Sequence, residues 1–191
     1  EALDRILPVE DAEVSAFVAK SFAKRGMKIM TEVKLQSVSA GPNGVTAKLM
    51  GDHADLQADH LILAVGITGN VENLGVDATT VKIDRGHIVT DGFGATDEPG
   101  IYAIGDVTGP PWLAHKASHE GIICVEKIAG VGGGHAIADG AVPGCTYCRP
   151  QVASIGMTEA AAKTAGYEIK VGQFPFAGNG KAIALGDDAG F

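Results

Sequence analysis

Asp106 closes the apolar run Ala103-Ile104-Gly105-Asp106-Val107, and a short loop to Trp112 leads from it into a helical pattern opening at Leu113-Ala114-His115-Lys116-Ala117. A carboxylate at the C-terminal end of a strand can accept hydrogen bonds from sugar-like hydroxyls. The unsatisfied backbone N–H groups at the next helix start favour negative charge. Such a pairing suits a cofactor that carries both hydroxyls and a ring able to become anionic. The same spacing is met by an aspartate that caps a turn ahead of an ordinary helix, so spacing alone leaves both readings open.

The cysteines suggest a second chemistry. Cys145-Thr146-Tyr147-Cys148 has the CxxC spacing of zinc sites and dithiol redox centres. A zinc site needs about four ligands, and no second CxxC or paired His-Cys set follows. A thioredoxin-like dithiol needs its first cysteine at a helix N-terminus, whereas a proline-containing extended segment follows here. Structural or incidental thiols are the expectation, and no residue is assigned as a metal ligand.

These groups need elements to hold them. Residues 11–25 have a helical pattern, with Asp11 as cap, Val14, Phe17, Val18 and Phe22 on one face and Gly26 as a left-handed exit. Short apolar stretches at 27–30, 33–38 and 45–50 follow, the last two separated by the turn signal Gly41-Pro42-Asn43-Gly44. Leu61-Ile62-Leu63-Ala64-Val65 is continuously apolar and ends at Gly66, the pattern of a strand buried on both faces and ending at a ligand crevice. Val81–Ile83 and His87–Thr90 flank Asp84-Arg85-Gly86 as a second hairpin, and residues 100–106 form another buried strand. The helix from about Leu113 to Ala129 has Ala117, Gly121, Cys124, Val125 and Ile128 on its apolar side and Gly130 after it. Residues 131–144 read as a linker. Beyond it, a strand at 152–156, a helix capped by Thr158 and ended by Gly166, and a strand at 168–176 begin a second α+β unit.

Composition narrows the functions. At 191 residues, with 46% hydrophobic and 20% charged content, the chain can bury one sizeable core or two modest ones. Its 27 glycines are about twice the usual share, as loops that let a cofactor approach the backbone would require. A net charge of −8, a pI near 5.1 and no long Lys/Arg cluster leave no electrostatic footprint for nucleic acid. No apolar run has membrane-spanning length, and an odd cysteine count fits a reducing compartment, so a soluble cytoplasmic protein is expected. The chain begins at Glu1 rather than a methionine and stops at Phe191 on the approach to a strand, so both ends look cut.

Ile101-Tyr102-Ala103-Ile104-Gly105-Asp106 together with Leu113-Ala114-His115-Lys116-Ala117 resembles the second flavin-binding signature of the two-dinucleotide disulfide oxidoreductases. The Leu-Ala-His-Lys-Ala wording is similar to the dihydrolipoamide dehydrogenase branch. The resemblance implies an incomplete α/β fold with two dinucleotide-binding domains and the start of an α+β dimerisation domain. It also implies FAD and NAD as cofactors. Asp106 would bind the ribityl and pyrophosphate region of FAD, and the backbone at Trp112, Leu113, Ala114 and His115 would lie by the flavin ring, where the helix dipole stabilises negative charge. His115 and His119, one turn apart, could share a metal, but the flavin signature already accounts for His115. His119 and Glu120 are expected in solvent, and Cys124 is expected to pack as a small core residue.

The same register covers the rest of the chain. Glu1 would accept from the adenosine ribose hydroxyls of NAD, Leu35 would touch adenine, and Gly66 would approach the nicotinamide cofactor. Gly66 is followed by Ile67-Thr68-Gly69-Asn70, where many members have arginine. Residues 147–156 and 174–182 resemble the dimerisation domain, with Arg149 and Gln151 in place of the commoner His and Glu. The implied boundaries are 1–75 for the end of the NAD-binding domain, 76–142 for a central FAD-contacting domain and 143–191 for a truncated interface domain. The implied activity is oxidation of dihydrolipoyl groups through a reactive disulfide, flavin and NAD+, with a dihydrolipoyl domain of a 2-oxoacid dehydrogenase complex as partner and a homodimer as the assembly. The redox CxxxxC pair, the GxGxxG loop for FAD and the terminal His-Glu pair are not in these residues, so the piece alone is expected to be inactive, with no catalytic residue of its own. The alternatives are a glutathione or mercuric reductase type of enzyme, and a non-catalytic module holding metal through CxxC.

Overall fold

Val14, Phe17, Val18 and Phe22 recur at helical spacing, and in the computed structural model they share the inward side of the first helix, where Val18 is fully buried and the other three half-buried. Residues 1–132, 134–138 and 140–191 are described. In chain order the elements are α1 (Ala12–Lys24), β1 (Leu35–Gly41), β2 (Gly44–Leu49), β3 (Leu56–Ala58), β4 (Ile83–Asp84), β5 (His87–Ile88), α2 (Ala114–Ala129), β6 (Gly144–Thr146), β7 (Val152–Ser154), α3 (Glu159–Thr164) and α4 (Gly180–Leu185). The chain divides into one unit of Glu1–Leu63 with Cys145–Phe191 and another of Ala64–Gly144.

In the first unit, β1, β2 and β3 form an antiparallel meander in that order. The turn signal at 41–44 falls where expected, with Gly41 opposite Gly44. Gly44 has a φ of +113°, and a Cβ there would lie 2.5 Å from the Ala58 carbonyl oxygen, so only glycine fits. α1 ends as its sequence suggests, with Gly26 at a φ of +91°. Asp11 stands at its N-cap position without capping it, and instead accepts from the Glu159 N–H at 2.7 Å, holding the start of α3. The Ser15 hydroxyl donates to the Ile6 carbonyl, and buried Glu10 accepts from the Ser154 hydroxyl of β7 at 3.1 Å. Thr158 caps α3 as expected, accepting from the Ala161 N–H at 3.1 Å. Asn179 caps α4 in the same way.

In the second unit, Arg85 and Gly86 have φ values of +48° and +79°, the paired left-handed conformation that a two-residue hairpin turn between β4 and β5 requires. α2 has Leu113 as its N-cap and Gly130, left-handed, as its C-cap. Small residues let it approach its neighbours closely. A Cβ on Gly121 would meet Ile104 at 3.2 Å, and one on Gly94 would meet the Ala103 carbonyl oxygen at 3.0 Å and Cys124 at 3.4 Å.

Several expectations are corrected. Leu61–Val65 forms no strand, and Ile62 and Val65 are about nine-tenths exposed, because among the described residues no strand supplies it with a ladder. Residues 100–106 form only an isolated antiparallel bridge between Ala95 and Tyr102 before the chain tightens into a 3-10 turn at Gly105–Thr108. Residues 27–30 and 168–176 are likewise outside any ladder. On α2, Cys124 is buried and Ala117 and Gly121 half-buried, but Val125 and Ile128 face outward, so the packed stripe is narrower than hydropathy suggests. Of the expected linker, Gly133 and Asp139 lie outside the described residues.

Candidate functional site

Asp106 sits on the 3-10 turn Gly105–Thr108, which the left-handed φ of +78° at Gly105 makes possible. Backbone groups at both ends of this turn are engaged. The Thr108 hydroxyl donates to the Gly105 carbonyl at 2.8 Å, and the Gly109 N–H donates to the Asp106 carbonyl at 3.2 Å. The Gly105 N–H donates to Glu120 Oε2 at 2.7 Å, and Lys116 Nζ donates to the Gly109 carbonyl at 3.1 Å. Lys116 and Glu120, one turn apart on α2, pair at 3.0 Å, with Lys116 buried and Glu120 mostly so. A buried ammonium is tolerable because its protons find a carboxylate and a carbonyl. Against this, the Asp106 carboxylate is exposed and has no partner among the described residues. A free carboxylate on a rigid turn fits a ligand rich in hydroxyls.

The loop from Gly109 delivers Trp112, Leu113, Ala114 and His115 to the start of α2. No side chain caps that start, so its first N–H groups remain available to an anionic group. Trp112 is 37% exposed, its ring 5.9 Å from that of His87 on β5. The two rings, with Thr68, Thr108 and Gly109, line a cleft of about 470 Å³. The buried Nε2 of His87 has no partner among the described residues. His115 Nε2–H donates to the Pro143 carbonyl at 2.8 Å, so its side chain tethers the segment after α2, a role sequence does not indicate.

Gly66 has a φ of +122°, a conformation that favours glycine, with open space where a Cβ would go. Three residues on, the Gly69 N–H donates to the Gly86 carbonyl at 3.0 Å, and a Cβ on Gly69 would lie 3.3 Å from Val107 Cα, which joins this segment to the Asp106 turn. Glu1 and Leu35 lie in the other unit. Glu1 Oε1 accepts from the Leu3 N–H at 2.9 Å, its backbone carbonyl accepts from the Val33 N–H at 3.0 Å, and Leu35 opens β1 with a largely exposed side chain. The second unit thus brings Asp106, Trp112–His115 and the segment from Gly66 together, and Glu1 and Leu35 share the first.

Sequence reasoning missed the Lys116–Glu120 pair and His87. Glu120 is not in open solvent as expected, whereas His119 is exposed. The i,i+4 Lys-Glu spacing was a visible signal, but nothing local indicates that it faces the Gly105 turn. Cys145 is exposed and Cys148 half-buried, its thiol 2.8 Å from the Pro150 carbonyl. Groups of three or more metal-binding side chains do not occur among the described residues, nor does a helix long and apolar enough to cross a membrane. Near the second hairpin, the Thr80 backbone N–H and then its hydroxyl hold the Glu98 carboxyl below its ordinary pKa. A hydrogen bond to Asp97, reinforced by its charge, raises that of Lys82.

Comparison with known proteins gives this geometry a family. Residues 1–121 match Pyridine nucleotide-disulphide oxidoreductase, and residues 142–191 match the dimerisation domain of the same family. The chain is 56% identical to a dihydrolipoyl dehydrogenase of Rhizobium etli, with all of this chain and 40% of that protein covered. It is 51% identical to one of Zymomonas mobilis, with 42% of that protein covered. Among solved structures, LpdA of Mycobacterium tuberculosis superposes with a TM-score of 0.87 at 26% identity, covering 97% of this chain and 40% of that one. The HOCl-induced flavoprotein disulfide reductase RclA of Escherichia coli gives 0.88 at 26% identity, covering 100% and 43%. The chain spans about 40% of the length of the curated relatives it matches. The fold is therefore an incomplete α/β fold of the flavoprotein disulfide reductases with part of the dimerisation domain. The resemblance drawn from the Gly105-Asp106 and Leu113–Ala117 motifs is borne out: this chain belongs to the pyridine nucleotide-disulphide oxidoreductase family.

Proposed function

We propose that this chain is the nicotinamide-side and central part of a dihydrolipoyl dehydrogenase, which oxidises protein-bound dihydrolipoamide and passes the electrons through FAD to NAD+. The observation that carries the reading is the free Asp106 carboxylate on a turn whose two ends are hydrogen-bonded, one short loop ahead of the uncapped start of α2. The 56% and 51% identity to proteins of that name supports this substrate class over other members of the family.

Asp106 accepts from the hydroxyls of the FAD chain, and the Trp112–His115 backbone presents N–H groups to the flavin ring, where the helix dipole favours negative charge. When bound, FAD supplies the two-electron chemistry that links thiols to nicotinamide. Glu1, with one oxygen already held by Leu3, offers the other to the NAD ribose hydroxyls. Leu35 offers an apolar surface to adenine, and Gly66 lets the cofactor approach the backbone. Residues 1–75, 76–142 and 143–191 then serve as the NAD-binding, FAD-contacting and interface regions. A homodimer and a dihydrolipoyl domain as partner complete the reading, and a cytoplasmic location rests on composition. The match of residues 142–191 to a dimerisation domain supports the dimer.

These 191 residues contain no CxxxxC pair, so the polypeptide by itself is expected to produce no NADH from dihydrolipoamide. Exchanging the matching 40% of the Rhizobium etli relative for this chain is expected to give an FAD-loaded, lipoamide-active enzyme. A folded exchange protein without FAD refutes the proposal, and one that reduces glutathione disulfide or mercuric ion instead favours the related reductases.

A further inference from the structure

We propose that Lys116 and Glu120 are positioning residues for the flavin site, clamping both ends of the turn that presents Asp106; this rests on the flavin reading above. Glu120 Oε2 holds the Gly105 N–H at 2.7 Å on the near side of Asp106. Lys116 Nζ holds the Gly109 carbonyl at 3.1 Å on the far side. Their mutual pairing at 3.0 Å makes one unit of the two grips. Both come from a single face of α2, the helix whose N-terminus follows the loop from Gly109. The pair therefore ties the carboxylate for the cofactor's hydroxyls to the helix start for its ring, across the 15-residue separation of Gly105 and Glu120.

Burial argues for this role over incidental pairing. An i,i+4 Lys-Glu pair on a solvated face contributes little, and this one withdraws a lysine to 8% exposure. Withdrawing a charge is costly unless its partners are fixed, and here the partners are the Gly109 carbonyl and the Glu120 carboxylate, the latter held in turn by the Gly105 N–H. Asp106 itself receives no side-chain support, so its orientation depends on those backbone atoms.

The test uses the full-length holoenzyme, stripped of FAD and titrated with FAD by flavin fluorescence, with melting of the stripped form recorded alongside. Glu120→Ala and Lys116→Met are each expected to weaken FAD binding by roughly ten- to a hundredfold. Glu120→Gln keeps an acceptor for the Gly105 N–H and is expected to stay within about threefold of the unsubstituted protein. In an Asp106→Asn background, adding Glu120→Ala is expected to weaken FAD by less than about threefold more, because the clamp acts through Asp106. If the two losses multiply instead, or if Glu120→Ala changes only the melting temperature, the clamp is merely structural and the inference falls. If Glu120→Ala does not fold, the same cycle is read with Lys116→Met. Failure of the unsubstituted protein to bind FAD overturns the flavin reading itself and the clamp with it, an outcome distinct from multiplying losses.

Discussion

Replacing Gly105 by alanine combines two costs that a control position separates. Gly105 has a φ of +78°, and a Cβ there would lie 3.2 Å from the Cβ of Ala117 on α2. Gly100 has a φ of +86° with nothing within 4 Å of its Cβ position. The left-handed conformation costs an L-residue about 1–2 kcal/mol, which is all that Gly100→Ala should show. Crowding against a backbone-anchored methyl adds about 1–3 kcal/mol, so Gly105→Ala should cost about 2–5 kcal/mol. Trp112 is the single tryptophan and lies in the same unit as both glycines, so urea unfolding followed by its fluorescence reads both variants. Ala117→Gly removes the opposing methyl at about 1 kcal/mol of helix propensity. Combined with Gly105→Ala it should recover the crowding part and leave the conformational part. Equal losses at Gly100 and Gly105, or no coupling between Gly105→Ala and Ala117→Gly, would refute the close packing of α2 on the Asp106 turn.

In the meander, Gly44→Ala should cost at least about 3 kcal/mol, since strain at positive φ adds to an overlap with the Ala58 carbonyl. Amide exchange of β2 and β3 measures it, and a loss no larger than that of Gly26→Ala, where space is open, would contradict the β2–β3 register. The Glu98 carboxyl is held low by the Thr80 N–H and hydroxyl, so its contribution is present above the ordinary glutamate pKa and is lost as pH falls through the lowered value. The stability difference between the native protein and Glu98→Gln should accordingly shrink in acid. Lys82 has the opposite sign: its pairing with Asp97 contributes below the ordinary lysine pKa and is lost as pH rises through the raised one, which Lys82→Met should abolish in alkaline melts. Elemental analysis should find no stoichiometric zinc, and one zinc per chain lost on Cys145→Ser or Cys148→Ser would revive the metal-binding alternative.

Features that need only a few neighbouring residues were legible in the chain. Gly41-Pro42-Asn43-Gly44, Arg85-Gly86, the exits at Gly26 and Gly130 and the Thr158 cap follow from local backbone conformation and short-range hydrogen bonding, and each forms where its residues suggest. Asp106 and the α2 start were legible for the same reason, since the Gly105-Asp106 turn, the loop and the helix opening lie within about ten residues of one another, although the strand expected to lead into Asp106 does not form. Whether an apolar run is buried was not, because burial depends on surfaces distant in sequence. Leu61–Val65 has the pattern of an inner strand yet lies without a ladder, and Val125 and Ile128 of α2 face outward while Cys124 packs inward. The role of Glu120 was equally hidden, since a glutamate one turn after a lysine reads as a solvated pair until the fold sets it against the Gly105 N–H. By itself the sequence determined the turns, the Thr158 cap and the position of the carboxylate one loop ahead of α2, while the Asp11 side chain it offered as a cap of α1 serves α3 instead. Only the tertiary structure decided what holds that carboxylate in place, because hydrogen bonds between Gly105, Gly109 and a buried pair on α2 exist only once the turn and the helix are packed together.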